Sequence, residues 1–457
     1  MQDLKHGFRI DSSKCTGKME CMRACPAQAL RVRSGKAVLV PELCIDCGIC
    51  LRVCPSGAIS PTTITFADIE KYKHKVAIPS AVLYSQFPMS ASPAKIQSAL
   101  MKLGFDAVYD FSVEIELANR AIRECISTWK GPFPLISSSC PVVVRLVQVA
   151  YPTMVDQLLP IELPRELAGL EVKRRYSKEL GIREDEIAAV YITPCQAKTI
   201  SIVQPAEGVK SYLDGAVGIN EIYNDILVKI KEADSQKSSS SGRLLRSPQL
   251  LLWGMPEGQS ANLSKQRVLS LTGVANIIKV FDDIEKGKLR NVDYLECYSC
   301  EGGCTGGNLT VDNLYVARGK VLSLFSNSIP SDEAFTREVE ERYPKTDFAL
   351  KAPVKPRMVP EGSLGLIELF KRRKRTEEIL AVLPGLNCGL CGAPRCRAHA
   401  EDVASGRADA RDCVFLSRDR INELREIYTR PNGTGRYAKK DDGELKGRSD
   451  QAGPEGD

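Results

Sequence analysis

Two short runs near the N-terminus constrain this chain more than anything else in it. "CIDCGICLRVCP" is a complete C-x2-C-x2-C-x3-C-P, built from Cys44, Cys47, Cys50, Cys54 and Pro55. "CTGKMECMRACP" repeats it with Cys15, Cys21, Cys25 and Pro26, but Lys18 stands where a cysteine would. The whole chain has 17 Cys against only three His. A disulfide scaffold of this size would need an export signal, and MQDLKHGFRIDSSKC has neither an apolar h-region nor a small-residue cleavage site. Spaced cysteines in a reducing compartment more often bind metal. Thiolates with almost no imidazole favour iron–sulfur over zinc, although a zinc site made of four cysteines uses the same ligand type.

The remaining cysteines form two further groups. Cys388, Cys391, Cys396 and Cys413 read C-x2-C-x4-C-x16-C, with Gly389 and Gly392 freeing the backbone to wrap a compact cluster. Cys140, Cys195, Cys297, Cys300 and Cys304 are spread through the long middle, and Cys125 stands apart. Cys125 shares helical spacing with Ala118 and Ile122, which makes it a core-packing residue. His399 reads as a packing or surface residue, because four thiolates already complete the site beside it.

A length of 457 residues exceeds what one core covers, so two to four domains are expected. A net charge of +6 is mild for this length, and no basic stripe is interleaved with aromatics, so nucleic acid is not expected as a partner. No stretch approaches eighteen apolar residues, so no membrane span is expected, and the location implied is cytoplasmic. The tract 234–243 is Ser-rich and reads as a flexible insertion. The end, from Arg430, is Gly- and charge-rich and reads as disordered. "KRRKR" (371–375) reads as a solvated helix face.

The middle alternates strand and helix patterns. Strands are expected at 75–83, 105–111, 133–137, 188–193, 276–281 and 292–297. A helix is expected from Pro93, with Ser92 at its N-cap and Gly104 past its end. This order gives an α/β fold with largely parallel sheet. Three of the strands are each followed by a cysteine: "PLISSSCP" (Cys140), "VYITPCQAK" (Cys195) and "DYLECYSCEGGCTGG" (Cys300, Cys304). Sites in open α/β sheets are built at that edge, so four thiolates from three loops can converge there.

The duplicated N-terminal runs resemble the two-cluster bacterial ferredoxin fold. In that arrangement the fourth Cys of each run ligates the other run's cluster. The resemblance therefore implies one [4Fe-4S] cluster on Cys44, Cys47, Cys50 and Cys25. The other set is Cys15, Cys21 and Cys54, lacking a thiolate at position 18. Two outcomes stay open for it: a [3Fe-4S] or otherwise incomplete cluster, or four irons with an outside ligand. The C-terminal motif resembles the small four-iron domain of corrinoid iron–sulfur proteins and of membrane ferredoxin-oxidising complexes.

The three middle segments resemble the signature loops of the iron-only ([FeFe]) hydrogenase catalytic domain, over roughly residues 70–345. The resemblance implies a [4Fe-4S] cluster on Cys140, Cys195, Cys300 and Cys304. It further implies a bridge through Cys304 to a two-iron subcluster carrying CO and cyanide. Lys198 matches the family lysine that hydrogen-bonds a cyanide, and Glu296 matches the acidic residue at the start of the third loop. The departures are specific. Ser139 replaces the thiol that passes protons, Ser201 replaces a glutamate of the proton path, and Thr193 and Tyr298 replace two methionines. An alcohol is a far weaker acid than a thiol, so relay through Ser139 is expected to be slow. These departures resemble the branch often described as sensory or regulatory. Cys297 has no counterpart in the pattern and reads as incidental.

The fold implied is a two-lobed, hydrogenase-like α/β core (70–345) with largely parallel sheets. A small α+β ferredoxin-like domain (1–65) precedes it. A small helical iron–sulfur domain (366–428) and a tail (430–457) follow. The expected function is a slow or sensory hydrogenase-like iron–sulfur protein that passes electrons to a redox partner, ferredoxin-like or signalling. Two alternatives stand beside it: an active ferredoxin-linked hydrogenase, and an iron–sulfur assembly or carrier protein keeping only the cubane.

Overall fold

The computed structural model describes residues 4–235, 245–263, 266–328, 331–357 and 366–416. From residue 236, the Ser-rich insertion lies outside them, as does the expected C-terminal tail. The chain packs as two compact units, Met1–Ser363 and Leu364–Asp457.

The first unit begins with four short strands in two antiparallel pairs. β1 (Phe8–Ile10) pairs with β4 (Ile59–Pro61), and β2 (Leu30–Arg33) pairs with β3 (Lys36–Leu39). The sequence repeat is also a backbone repeat. Each cysteine run ends in one turn of helix, Glu20–Arg23 and Ile49–Val53, entered through a left-handed residue, Met19 (φ 64°) and Gly48 (φ 75°). Glycine takes that conformation without steric cost, whereas methionine holds it against its Cβ.

The rest of the unit is built on two parallel sheets. β5 (His74–Pro79), β6 (Ala107–Val108), β8 (Ile187–Thr193) and β9 (Gly215–Gly218) lie in the order β6-β5-β8-β9. β7 (Leu135–Ile136), β10 (Val268–Thr272) and β11 (Tyr294–Tyr298) lie in the order β10-β11-β7. Every residue of β8 is buried, as expected of a central strand covered on both faces. These sheets bear out the α/β reading with largely parallel strands.

Several local expectations need correction. "NIIKVF" (276–281) is not a strand but part of the helix Val274–Glu285. Its β-branched residues suggest a strand, yet Val274, Ile277 and Phe281 are the buried ones, which is helical spacing. The strand of that region lies just upstream, at β10. β5 stops at Pro79 rather than running to 83, because Ser80 Oγ accepts from Val82 N at 3.3 Å and opens the 3-10 segment Ala81–Gln86. The strands expected at 105–111 and 133–137 shrink to two residues each. The helix Pro93–Lys102 begins as read, with Ser92 Oγ accepting from Lys95 N at 3.4 Å. Cys125 packs half-buried against Ala121, Ile122 and Ile126.

In the second unit, the helices Leu366–Val382 and Cys396–Ala404 close a small core around Ile379, Leu383, Ala400 and Val403. Lys371, Arg373 and Lys374 are exposed on the first of these helices. Among the described residues, no helix is long and apolar enough to cross a membrane.

Candidate iron–sulfur sites

Three cavities are each lined by one set of four cysteines. Cys25, Cys44, Cys47 and Cys50 line the first, Cys140, Cys195, Cys300 and Cys304 the second, and Cys388, Cys391, Cys396 and Cys413 the third. No two of these cysteines are joined as a disulfide; all are free thiols.

In the N-terminal set, burial pushes the Cys44 thiol well up, and the neighbouring Cys47 and Cys25 push it further. Cys21 is raised by burial, with Cys54 and Cys15 as its charged neighbours. The thiols therefore sort into Cys25, Cys44, Cys47 and Cys50 on one side and Cys15, Cys21 and Cys54 on the other. The Lys18 side chain, in the place of the missing thiol, is exposed.

The second cavity lies at the carboxyl ends of four parallel strands. Ser80 and Ala81 follow β5, Ser139 and Cys140 follow β7, Cys195 follows β8, and Cys300 to Gly307 follow β11. Cys140 immediately precedes the helix Pro141–Ala150, whose first residue is proline, and Cys195 precedes Gln196–Val203. The third loop needs glycine at specific points. Gly303 sits at φ 73°, and a Cβ there would press on the Gly254 carbonyl at 2.7 Å.

Burial raises the Cys195 thiol and lifts Cys300 to about 12, with Cys195, Cys140 and Cys304 adding to the latter. Buried thiols of this kind stay protonated until a cation replaces the proton. Four cysteines around one cavity, with no imidazole or carboxylate lining it, fit an iron–sulfur cluster.

Lys198 Nζ donates to Cys304 Sγ at 3.2 Å. Burial pulls its pKa down, but Cys304, Tyr191 and Cys195 more than offset this, so it stands above the ordinary lysine range and the ammonium is kept. Ser139 lines the cavity, and its Oγ lies 3.4 Å from Gln259 Oε1. Gln259 is a hub that sequence reasoning missed. Its Oε1 accepts from Ser137 Oγ at 2.8 Å and Tyr294 OH at 3.2 Å, and its Nε2 donates to Tyr298 OH at 2.9 Å. No motif announces it, because its partners come from two segments distant from it in the chain, Ser137–Ser139 and β11.

Glu296 is not among the residues lining the cavity. Its oxygens accept from Gln259 N and Ser260 N, both at 3.1 Å, and lie 2.9 Å from Tyr298 OH. It reaches the cavity through Tyr298 and Gln259, which line it. Burial raises the Glu296 pKa. Ser201 sits behind the cavity and accepts from Arg165 Nη2 at 3.2 Å. Cys297 is fully buried in β11 among apolar side chains, and His399 is buried against the third cavity.

The N-terminal sites and the second cavity share a wall. Gln196 Nε2 donates to the Asp46 carbonyl at 2.8 Å, Arg52 donates to the Gly306 carbonyl, and the Cys300 thiol is an electrostatic neighbour of Cys47. Asp46, fully buried, accepts from Gly7 N at 2.9 Å and pairs with Arg145.

Sequence comparison agrees with this geometry. Residues 74–242 match the family described as iron only hydrogenase large subunit, C-terminal domain. Residues 8–71 match a 4Fe-4S dicluster domain, and residues 383–415 match an Fe-S cluster family. The NADP-reducing hydrogenase subunit HndD of Solidesulfovibrio fructosivorans is 25% identical over 251 residues, which is 47% of this chain and 42% of that one. The chain is thus divergent and iron-only-hydrogenase-like over its middle, with a ferredoxin-like N-terminal part. A probable cytosolic Fe-S cluster assembly factor of Culex quinquefasciatus is 24% identical over 238 residues, covering 47% of this chain and 48% of that one. The chain thus spans under half the length of these curated relatives. The [FeFe]-hydrogenase HydA1 of Chlamydomonas reinhardtii aligns at a TM-score of 0.47, with 14% identity over 63% of this chain and 97% of that one. The hydrogenase likeness rests on the sequence matches. The hydrogenase-like core thus follows a 4Fe-4S dicluster match and precedes an Fe-S cluster match.

Proposed function

We propose that this chain is a slow, sensory or regulatory hydrogenase homologue that passes electrons to a redox partner protein, ferredoxin-like or signalling, in the cytoplasm. The observation that carries the reading is the Lys198 ammonium held 3.2 Å from Cys304 Sγ inside a cavity ringed by four cysteines. In this reading Cys140, Cys195, Cys300 and Cys304 would hold a [4Fe-4S] cluster, and Cys304 would also hold a two-iron group carrying CO and cyanide. Lys198 supplies a charged hydrogen-bond donor to that group's anionic ligands. The chemistry such a group supplies when bound is 2 H⁺ + 2 e⁻ ⇌ H₂.

Cys25, Cys44, Cys47 and Cys50 hold a second [4Fe-4S] cluster, and Cys388, Cys391, Cys396 and Cys413 a third. Cys15, Cys21 and Cys54 hold a three-iron cluster. The domain limits that go with this are 1–65, 70–345 and 366–428.

Slow turnover follows from Ser139. Its hydroxyl stands beside Cys140 where the active enzymes place a thiol, and its nearest polar partner is the Gln259 amide oxygen, which does not ionise. Hydrogen turnover of the chain matured with a hydrogenase maturation system tests this. A low rate in the parent that rises at least tenfold in Ser139→Cys supports the slow reading. A parent rate in the range of fast enzymes, unchanged by the substitution, defeats it in favour of an outright hydrogenase.

A further inference from the structure

Arg165 lines the cavity of the four middle cysteines, on the same wall system as Lys198. It begins no motif and stands in none of the three signature segments; it is the second residue of the helix Pro164–Leu180. Its side chain is more than nine-tenths buried, as is that of Lys198. Of its five N–H groups, one is engaged: Nη2 donates to Ser201 Oγ at 3.2 Å. Nε is buried with no hydrogen-bond partner among the described residues. The nearest carboxylate, Glu166, lies 3.7 Å from Nε, and its Oε2 accepts from Ser211 Oγ at 2.6 Å and Tyr212 N at 3.1 Å. Among the described residues, no Asp or Glu lines the cavity itself.

Arg165 has Glu166, Glu162 and Glu207 as electrostatic neighbours, but none of them lines the cavity, so the cavity itself meets two buried cations and no acid. Each has lost its hydration, and they repel one another. Lys198 has Cys304 to answer it, whereas Arg165 makes no hydrogen bond to any thiol. The cavity measures about 70 Å³, room for a few water-sized groups.

We propose that Arg165 and Lys198 make this cavity a site for a small linear anion, with Arg165 as a second positively charged binding residue. The anion has two sources of the same chemistry: a free ion such as azide, or cyanide borne on an iron centre. The second source rests on the functional reading above; the first does not.

The test uses the full chain, reconstituted with iron and sulfide. In one arm, sodium azide is titrated in and its asymmetric stretch is followed by infrared spectroscopy. A saturable bound band is expected, weakened at least tenfold in affinity by Arg165→Gln and less by Arg165→Lys. Arg175→Gln, on the exposed face of the same helix, should leave it unchanged. Equal azide binding by the parent and Arg165→Gln means an adventitious ion only and overturns the free-anion site.

In the other arm, a synthetic two-iron dicyanide complex is inserted and the cyanide bands are recorded. A band shift between the parent and Arg165→Gln supports the proposal even if azide does not bind. Identical bands together with Arg165-independent or absent azide binding overturn it. Failure of the parent to take up the complex sinks the functional reading alone, and the azide arm then decides. Melting curves of both Arg165 variants identify a folding defect, in which case Arg165→Lys supplies the comparison.

Discussion

Asn308 Nδ2 donates to the carbonyl of Cys47 at 2.8 Å, so the loop that carries Cys300 and Cys304 is tied directly to the backbone of an N-terminal cysteine run. The same amide reaches Gln196 Oε1 at 3.2 Å, the residue after Cys195. Both side chains fill the space where a Cβ on Gly48 would stand. Gly48 is also at φ 75°, where only glycine is at ease.

Gly48→Ala should therefore separate the two sites. Strain at a positive φ and the loss of the Asn308 and Gln196 contacts together should cost about 2–4 kcal/mol. Denaturant unfolding of the reconstituted chain measures the loss. Rapid-mixing reduction should show the middle cluster filling with electrons more slowly than in the parent. Unchanged stability and rate would contradict a tight junction at Gly48.

Gln259 is a second point of high leverage. Gln259→Leu leaves the hydroxyls of Ser137 and Tyr294 buried without their amide partner, while Tyr298 OH keeps Glu296 as its acceptor. Each stranded polar group costs about 1–3 kcal/mol, and groups in one network do not add simply. A loss of about 3 kcal/mol in thermal or denaturant unfolding is expected, against less than about 1 kcal/mol for Ser139→Ala, whose contact is the longest of the set.

Glu162 should make stability fall with rising pH. Burial lifts its carboxyl to about 7, with Glu166 and Glu207 adding to the shift against the Leu163 N–H. A carboxyl whose folded pKa lies above its unfolded value holds a proton more tightly when folded, so stability is lost as pH climbs from about 4.5 to about 7. The loss should be on the order of 3 kcal/mol. Glu162→Gln should stabilise the chain at about pH 8 and leave it nearly unchanged at about pH 4.5, as read from unfolding curves at the two pH values. An equal effect at both would contradict the assignment.

Lys18 separates two outcomes at the three-cysteine site. Electron paramagnetic resonance of the oxidised full chain should show a three-iron signal, and Lys18→Cys should abolish it by completing a four-iron site. A parent without that signal would favour four irons with an outside ligand.

What the sequence revealed depends on how local each signal is. The cysteine sets were legible because their ligands recur at fixed short spacing, or at the ends of apolar runs that could be only strands. The middle set needed Cys140, Cys195 and Cys300 placed at three strand ends, and two parallel sheets do this, β7 and β11 in one and β8 in the other. Val274–Glu285 misled because its Ile and Val residues carry strand preference while their buried subset follows a helical period. Arg165, Gln259 and Asn308 left no sequence signal, since each acts on partners distant in the chain. Glu296 was marked by its position before Cys300, yet the structure gives its oxygens to the backbone of Gln259 and Ser260.

In the proposed function, the cavity beside Cys304 receives a two-iron group carrying CO and cyanide. Infrared spectroscopy of the full chain produced with the hydrogenase maturation enzymes tests it most directly. The account predicts sharp CO and cyanide stretching bands, lost in Cys304→Ser and shifted in Lys198→Gln. A matured chain whose four-iron clusters are complete but which shows no such bands would contradict it, leaving an iron–sulfur protein that keeps only its cubanes.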